Sequence, residues 1–156
     1  MPQSQPYTSP SEYLLTFPEH RDTRGTLVVA DSLGEPTLPF LVQRAFWITD
    51  VPTHSQRGGH AHRTCHEAVV CAKGRVEITL KGISIKHNSE NNISNSDIWE
   101  HTFVLDNPHT ALHIPPMVWC RLKNFSADCV LLCFASENYD AHGYIHHFDD
   151  FKSSLG

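Results

Sequence analysis

The segment Arg57-Gly58-Gly59-His60-Ala61-His62-Arg63 concentrates more reactive side chains than any other part of the chain. His60 and His62 are two residues apart, so in a β-strand both imidazoles leave the same face. In a small barrel that face is the interior. Two imidazoles side by side in a cavity are suited to ligating a metal or to moving protons near neutral pH. Gly58 and Gly59 permit backbone geometry closed to other residues, and Arg57 places a cation nearby. Glu67 follows His62 after four intervening residues, and Gly74 follows after six more.

The composition sets the frame for these residues. The chain has 156 residues, 40% hydrophobic and 19% charged, enough for one packed domain with a core. Formal net charge is -5, which argues against a general binder of nucleic acid or anionic membrane. Histidine is unusually common, 12 residues against 12 for Lys and Arg together. The longest apolar run, Cys129 to Ala135, has the length of a buried strand and is far short of a bilayer span. Met1 to Pro10 is polar, contains proline and lacks a signal-peptide core, so a cytoplasmic protein is expected. Five cysteines without a C-x-x-C pair do not form a disulfide framework; Cys129 and Cys133 read as small core residues.

The elements that must position the histidines read as strands. Residues 1–12 are expected to form a flexible tail. Strands are predicted over Thr26–Ala30, Phe40–Ile48, Glu67–Cys71, Thr102–Leu105, Ala111–Ile114, Val118–Leu122 and Cys129–Phe134. Val76, Ile78 and Leu80 alternate with polar residues, and Lys81-Gly82 is expected to close that strand. Pro52–Gly59 reads as a loop, Asn88–Asp97 as a hairpin tip or inserted loop, and Tyr144–Lys152 as the one weakly helical stretch. Many short strands between Gly, Pro and Asn make an all-β sandwich or barrel, one domain over residues 1–156.

The spacing His60-x-His62-x4-Glu67-x6-Gly74 resembles the first signature of the cupin barrels, in which two His and a Glu can bind a divalent metal. The second cupin signature is matched at Pro115 and Asn124, with Met117 in place of Gly and Cys120 in place of His. More specifically, the chain resembles the dTDP-4-keto-6-deoxyglucose 3,4-ketoisomerases. The matching pieces are Gln43-Arg44-Ala-Phe-Trp-Ile48, Arg57-Gly-Gly-His-Ala-His-Arg63, Ile114-Pro-Pro-Met-Val-Trp119 and Asn124 through Ser136, followed by Tyr139-Asp140 and Tyr144-Ile145. The chain departs from that pattern at Glu67, where Gln is usual, at Cys120, where His or Arg is usual, and at His146, where Arg is usual.

This resemblance implies a cupin-type jelly-roll barrel of antiparallel strands with little helix, a homodimer, and an enzyme of deoxysugar biosynthesis that needs no metal or other cofactor. The implied substrate is a dTDP-linked 4-keto-6-deoxyhexose, converted to the 3-keto isomer through an enediolate. His60 and His62 are the expected catalytic residues, with His62 favoured for the carbon proton. Arg44, Arg57 and Arg121 are expected near the diphosphate, because the guanidinium fork matches phosphate oxygens. Phe46 and Trp119 are candidates for contact with the base, and Cys120 for the pocket mouth. Two other readings stay open: a metal-dependent, dioxygenase-like cupin using His60, His62, Glu67 and Cys120, and a non-catalytic cupin that binds a sugar nucleotide. The configuration at C4 of the product and the identity of the nucleotide are not set by these motifs.

Overall fold

The computed structural model describes residue 7 and residues 9–34, 36–87 and 93–154, with side chains omitted for 85–87 and 93–96. Twelve strands are present among these residues: β1 (Leu14–Thr16), β2 (Glu19–Asp22), β3 (Gly25–Val28), β4 (Arg44–Ile48), β5 (Arg57–His62), β6 (Glu67–Lys73), β7 (Val76–His87), β8 (Ile93–Leu105), β9 (Thr110–Ile114), β10 (Trp119–Lys123), β11 (Val130–Ala135) and β12 (Tyr144–Ile145). One sheet has the order β1-β9-β6-β11-β4 and faces a second of order β12-β5-β10-β7-β8. Every pairing is antiparallel. This is the expected jelly-roll barrel.

The alternation that marks these strands in sequence also fills the barrel. Val69, Cys71, Val76, Ile78, Leu80, Leu112, Ile114, Leu131 and Cys133 project inward to form the main core. The outer face of the first sheet carries Ala68, Val70 and Ala111, which Phe17, Leu38 and Phe40 cover. The outer face of the second sheet is sealed by helix α1 (Phe148–Ser153), whose Phe151 is fully buried near Trp119. A helix of six residues has no stability of its own, so this packing holds it in place. All five cysteines are free.

Several boundaries differ from those the sequence suggests. Lys81-Gly82 does not end β7, which continues to His87. Gly82 pairs with Trp99 on β8, and a Cβ at Gly82 would lie 2.2 Å from the Trp99 ring. The glycine is therefore there to let the indole lie across the strand, which breaks no pairing. The Asn/Ser-rich segment is largely strand from Ile93 onward, and 88–92 lie outside the described residues. Part of the supposed tail is ordered: Pro10–Tyr13 forms a 3₁₀ turn capped at Ser9, and Tyr7 packs edge-on against Tyr13 at 4.7 Å. The strand expected from Phe40 begins only at Arg44, because Leu38 and Phe40 are used to cover the first sheet. The stretch Tyr144–Lys152 divides into β12 and α1.

Candidate active site

The Gly58-Gly59 pair, expected in a loop, belongs to β5 and shapes the site. Both have positive φ, 74° and 72°, and the register with β10 shifts here: Cys120 faces His60, whereas Arg121 faces Gly58. The extra residue forms a β-bulge. A Cβ at Gly58 would lie 2.8 Å from the Cys120 carbonyl, so no larger residue fits without moving β10. The bulge also reverses the side-chain alternation. Arg57 and His60 are three apart and would leave opposite faces of a regular strand, yet both line the same cavity.

That cavity, about 200 Å³, is walled by strands of both sheets. Its polar wall is Arg57, His60, Glu67, Cys120 and Tyr144; Phe46, Ile48, Val69 and Ile114 supply an apolar wall. The His60 and His62 rings stand edge to face, 5.1 Å apart. His62 is nearly fully buried behind the lining, with Nε2 3.3 Å from Glu67 Oε1. That nitrogen makes no hydrogen bond within the protein. Arg44 approaches the same carboxylate oxygen at 3.8 Å and lies over the Phe46 ring at 5.1 Å. Its Nε is likewise buried without a partner. Two buried polar atoms without hydrogen-bond partners, both beside Glu67 of the cavity lining, are what a bound polar ligand would satisfy.

Electrostatics keep this site's imidazole chemistry available near neutrality. Burial, with help from neighbouring His62, pushes the His60 pKa below the ordinary imidazole value, although Glu67 opposes the shift. Cys120 Sγ lies 4.0 Å from His60 Nε2, and burial drives this thiol well above the usual range, so it stays protonated.

Donor atoms of His60, His62 and Glu67 fall within 4.8 Å of one another, so the fit to the divalent ion of metal-dependent cupins can be tested. Arg44 holds a positive charge 3.8 Å from the carboxylate such an ion would need. The nearby sulfur is a thiol held against ionisation, which is a poor ligand. The donor set therefore suits an ion pair and proton transfer rather than a divalent cation.

Of the residues expected from sequence, the fold brings together His60, His62, Arg44, Arg57, Phe46 and Cys120. Trp119 and Arg121 fall away, because Cys120 and Leu122 take the inward positions of β10. Trp119 packs on Phe148 and Phe151 beneath α1, 5.2 Å and 5.8 Å between ring centres, and Arg121 is exposed. His113 faces outward, not into the barrel, and contacts His66 there.

The family model FdtA, "WxcM-like, C-terminal", matches residues 11–156. The chain belongs to this family. The TDP-4-oxo-6-deoxy-alpha-D-glucose-3,4-oxoisomerase of Aneurinibacillus thermoaerophilus is 33% identical over 142 residues, 91% of each chain. Among solved structures, the 3,4-ketoisomerase QdtA of Thermoanaerobacterium thermosaccharolyticum is 31% identical over 91% of each chain, with a TM-score of 0.72; that structure is a histidine-to-asparagine variant in complex with TDP-4-keto-6-deoxyglucose. A 3,4-ketoisomerase from Helicobacter canadensis is 28% identical over 91% of this chain and 95% of its own, with a TM-score of 0.75.

Within this FdtA-family chain, one site residue was missed by sequence reasoning. Tyr144 lines the cavity with its ring 4.4 Å from His62 and 5.1 Å from His60. It pairs with His62 through β12, a strand of two residues, too short to show any alternation. The signal available was its place in the Tyr144-Ile145 match. Tyr139, 68% exposed, flanks it at the rim, and Asp140 caps the following 3₁₀ turn by accepting from the His142 amide at 2.9 Å.

Proposed function

We propose that the protein is a sugar-nucleotide 3,4-ketoisomerase that converts a dTDP-linked 4-keto-6-deoxyhexose to its 3-keto isomer. The observation that carries this reading is the pair of adjacent imidazoles, with Glu67 and Arg44 against them, at a cavity sized for one sugar ring. The C3 hydrogen is acidified by the neighbouring ketone. A base removes it to give an enediolate, and reprotonation at C4 completes the shift. His62 is assigned the carbon proton: its Nε2 has no hydrogen-bond partner, and Glu67 stabilises the imidazolium that abstraction creates. His60, edge to face with His62 at 5.1 Å, supports the adjacent ring. Arg57 at the cavity wall is assigned to the diphosphate, and the free Nε of Arg44 to a sugar or phosphate oxygen. Phe46 offers an apolar surface to the ligand.

The reading includes a cytoplasmic homodimer. No helix among the described residues is long and apolar enough to cross a membrane. Trp47, 70% exposed on the edge strand β4, and Leu27, 62% exposed on the β2–β3 hairpin, suit burial against a second copy. Among the described residues that hairpin pairs with no other strand, and an isolated hairpin is marginally stable without a surface to rest on.

Proton NMR of purified protein with dTDP-4-keto-6-deoxyglucose tests reaction class and C4 configuration together. The expected outcome is a 3-keto product, formed equally well after exhaustive chelation. A substrate left unchanged would sink the reading, and activity that chelation removes would restore the metal-dependent alternative.

A further inference from the structure

The cavity is divided by sheet. The second sheet, through β5, β10 and β12, contributes Arg57, His60, Cys120 and Tyr144. The first sheet contributes Glu67 and otherwise only Phe46, Ile48, Val69, Ile114 and Cys133. The strand registers set these side chains in rows. Arg44 pairs with Ala135, and Ala135 with Glu67, so the ion pair occupies one row across β4, β11 and β6. Phe46 pairs with Cys133, and Cys133 with Val69, which makes a second row two residues, or about 7 Å, further along each strand. Val69 and Cys133 are 3% and 2% exposed and belong to the main core, against which Phe46 packs. Burial drives the Cys133 thiol well above its usual range, so it stays protonated and behaves as a small apolar group. The second row therefore offers a ligand no side-chain oxygen or nitrogen.

We propose that the Phe46–Cys133–Val69 row is a seat for C6 of the sugar, and that Val69 and Cys133 make the site select a methyl group over a hydroxymethyl group there. This rests on reading the cavity as the sugar site of a 3,4-ketoisomerase. His62 and Glu67 lie 3.3 Å apart at the level of the first row, and there the reacting carbons C3 and C4 must lie. C6 is two bonds from C4, by way of C5. A 6-deoxyhexose is polar along C2, C3 and C4 and apolar at C6. The cavity has the same division, with hydrogen-bonding groups on the second sheet and an apolar row beyond Glu67 on the first. A 6-hydroxyl set against that row gives up its bonds to water and finds no side-chain partner, whereas a methyl group gains by leaving water.

Titration calorimetry with two inert ligands tests this. They are dTDP-6-deoxyglucose and dTDP-glucose, which differ only in the 6-hydroxyl. The 6-deoxy ligand is expected to bind at least about 10-fold more tightly, the scale set by burying a hydroxyl without a partner. A smaller ratio overturns the proposal. Val69→Thr then adds a hydroxyl to the row at nearly constant volume. Cys133→Ser does the same from the neighbouring strand and decides the matter if Val69→Thr does not fold. A folded variant is expected to lower the ratio at least about threefold, by binding dTDP-glucose better and the 6-deoxy ligand worse. Two affinities that fall in proportion, leaving the ratio as in the parent, would mean that the row only packs the core, and would overturn the proposal. Proton NMR of the 4-keto sugar with the same preparation separates the two readings. A methyl preference without 3-keto product overturns the ketoisomerase reading and leaves the seat as a binding feature. A 3-keto product without methyl preference overturns the seat alone.

Discussion

The molecule contains two pairs of histidines in contact, and they differ in almost every respect that matters for chemistry. His60 and His62 stand edge to face inside the barrel, beside a carboxylate, a guanidinium and an open cavity. His66 and His113 lie on the outer face of the first sheet, stacked within 10° at 5.3 Å and flanked by Phe40. In the outer pair both nitrogens of His113 and one of His66 are spent. His66 Nδ1 is 3.0 Å from His113 Nε2, and His113 Nδ1 accepts from the Tyr7 hydroxyl. That pair fastens the N-terminal segment to the barrel. Proximity of two imidazoles therefore does not make a site; a nitrogen without a partner, facing a space a ligand can enter, does.

The sharpest way to break this comparison is to remove one ring from each pair. His62→Asn is expected to reduce turnover by at least 10²- to 10⁴-fold, the usual worth of a positioned acid or base, with an unchanged melting temperature. Near-parental turnover in steady-state assays would refute the assignment. His113→Asn is the counterpart, expected to leave turnover within about threefold while lowering thermal stability.

The next largest effect concerns pH. Burial, aided by the neighbouring His66, depresses the His113 pKa to about 4. A histidine whose folded value lies below its unfolded value, about 6.5, binds its proton preferentially when unfolded. Its contribution is thus complete above about pH 6.5 and is lost as pH falls toward about 4, amounting to about 3 kcal/mol at most. Urea titrations across that window are expected to show stability dropping in the parent and a shallower slope in His113→Asn. Parallel slopes would mean the outer pair is not what titrates.

The smallest effect sharpens the inner pair. Because burial and His62 hold His60 below the ordinary imidazole value, the acid limb of kcat/KM attributable to His60 is expected below about pH 6.5. Replacing His60 by Gln should remove that limb if it belongs to this ring, whereas an unchanged profile would assign the limb elsewhere.

Much of the fold was legible because its cues are local. Val76, Ile78 and Leu80 alternate with polar residues, and their strand lies where that alternation puts it. The inward face of β4 was legible for the same reason: Arg44, Phe46 and Ile48 are half-buried while Ala45 and Trp47 are exposed. Where sequence reading failed, a distant partner supplied the cause. Gly82 looks like a strand terminator until Trp99 is placed across it. Trp119 looks like a ligand contact until α1, nearly thirty residues on, covers it. Tyr144 has no local pattern at all and enters the site only because β12 pairs with β5.

By itself, the sequence determined the histidine pair, its shared face, the Glu67 spacing and the family, since each is a matter of residue types at short separations. The tertiary structure decided which of these groups remain chemically free. A double-glycine bulge, whose effect on alternation depends on the partner strand, turned Arg57 and His60 to one side. Sheet packing spent both nitrogens of His113 on His66 and Tyr7, and left Nε2 of His62 without a hydrogen-bond partner beside the cavity.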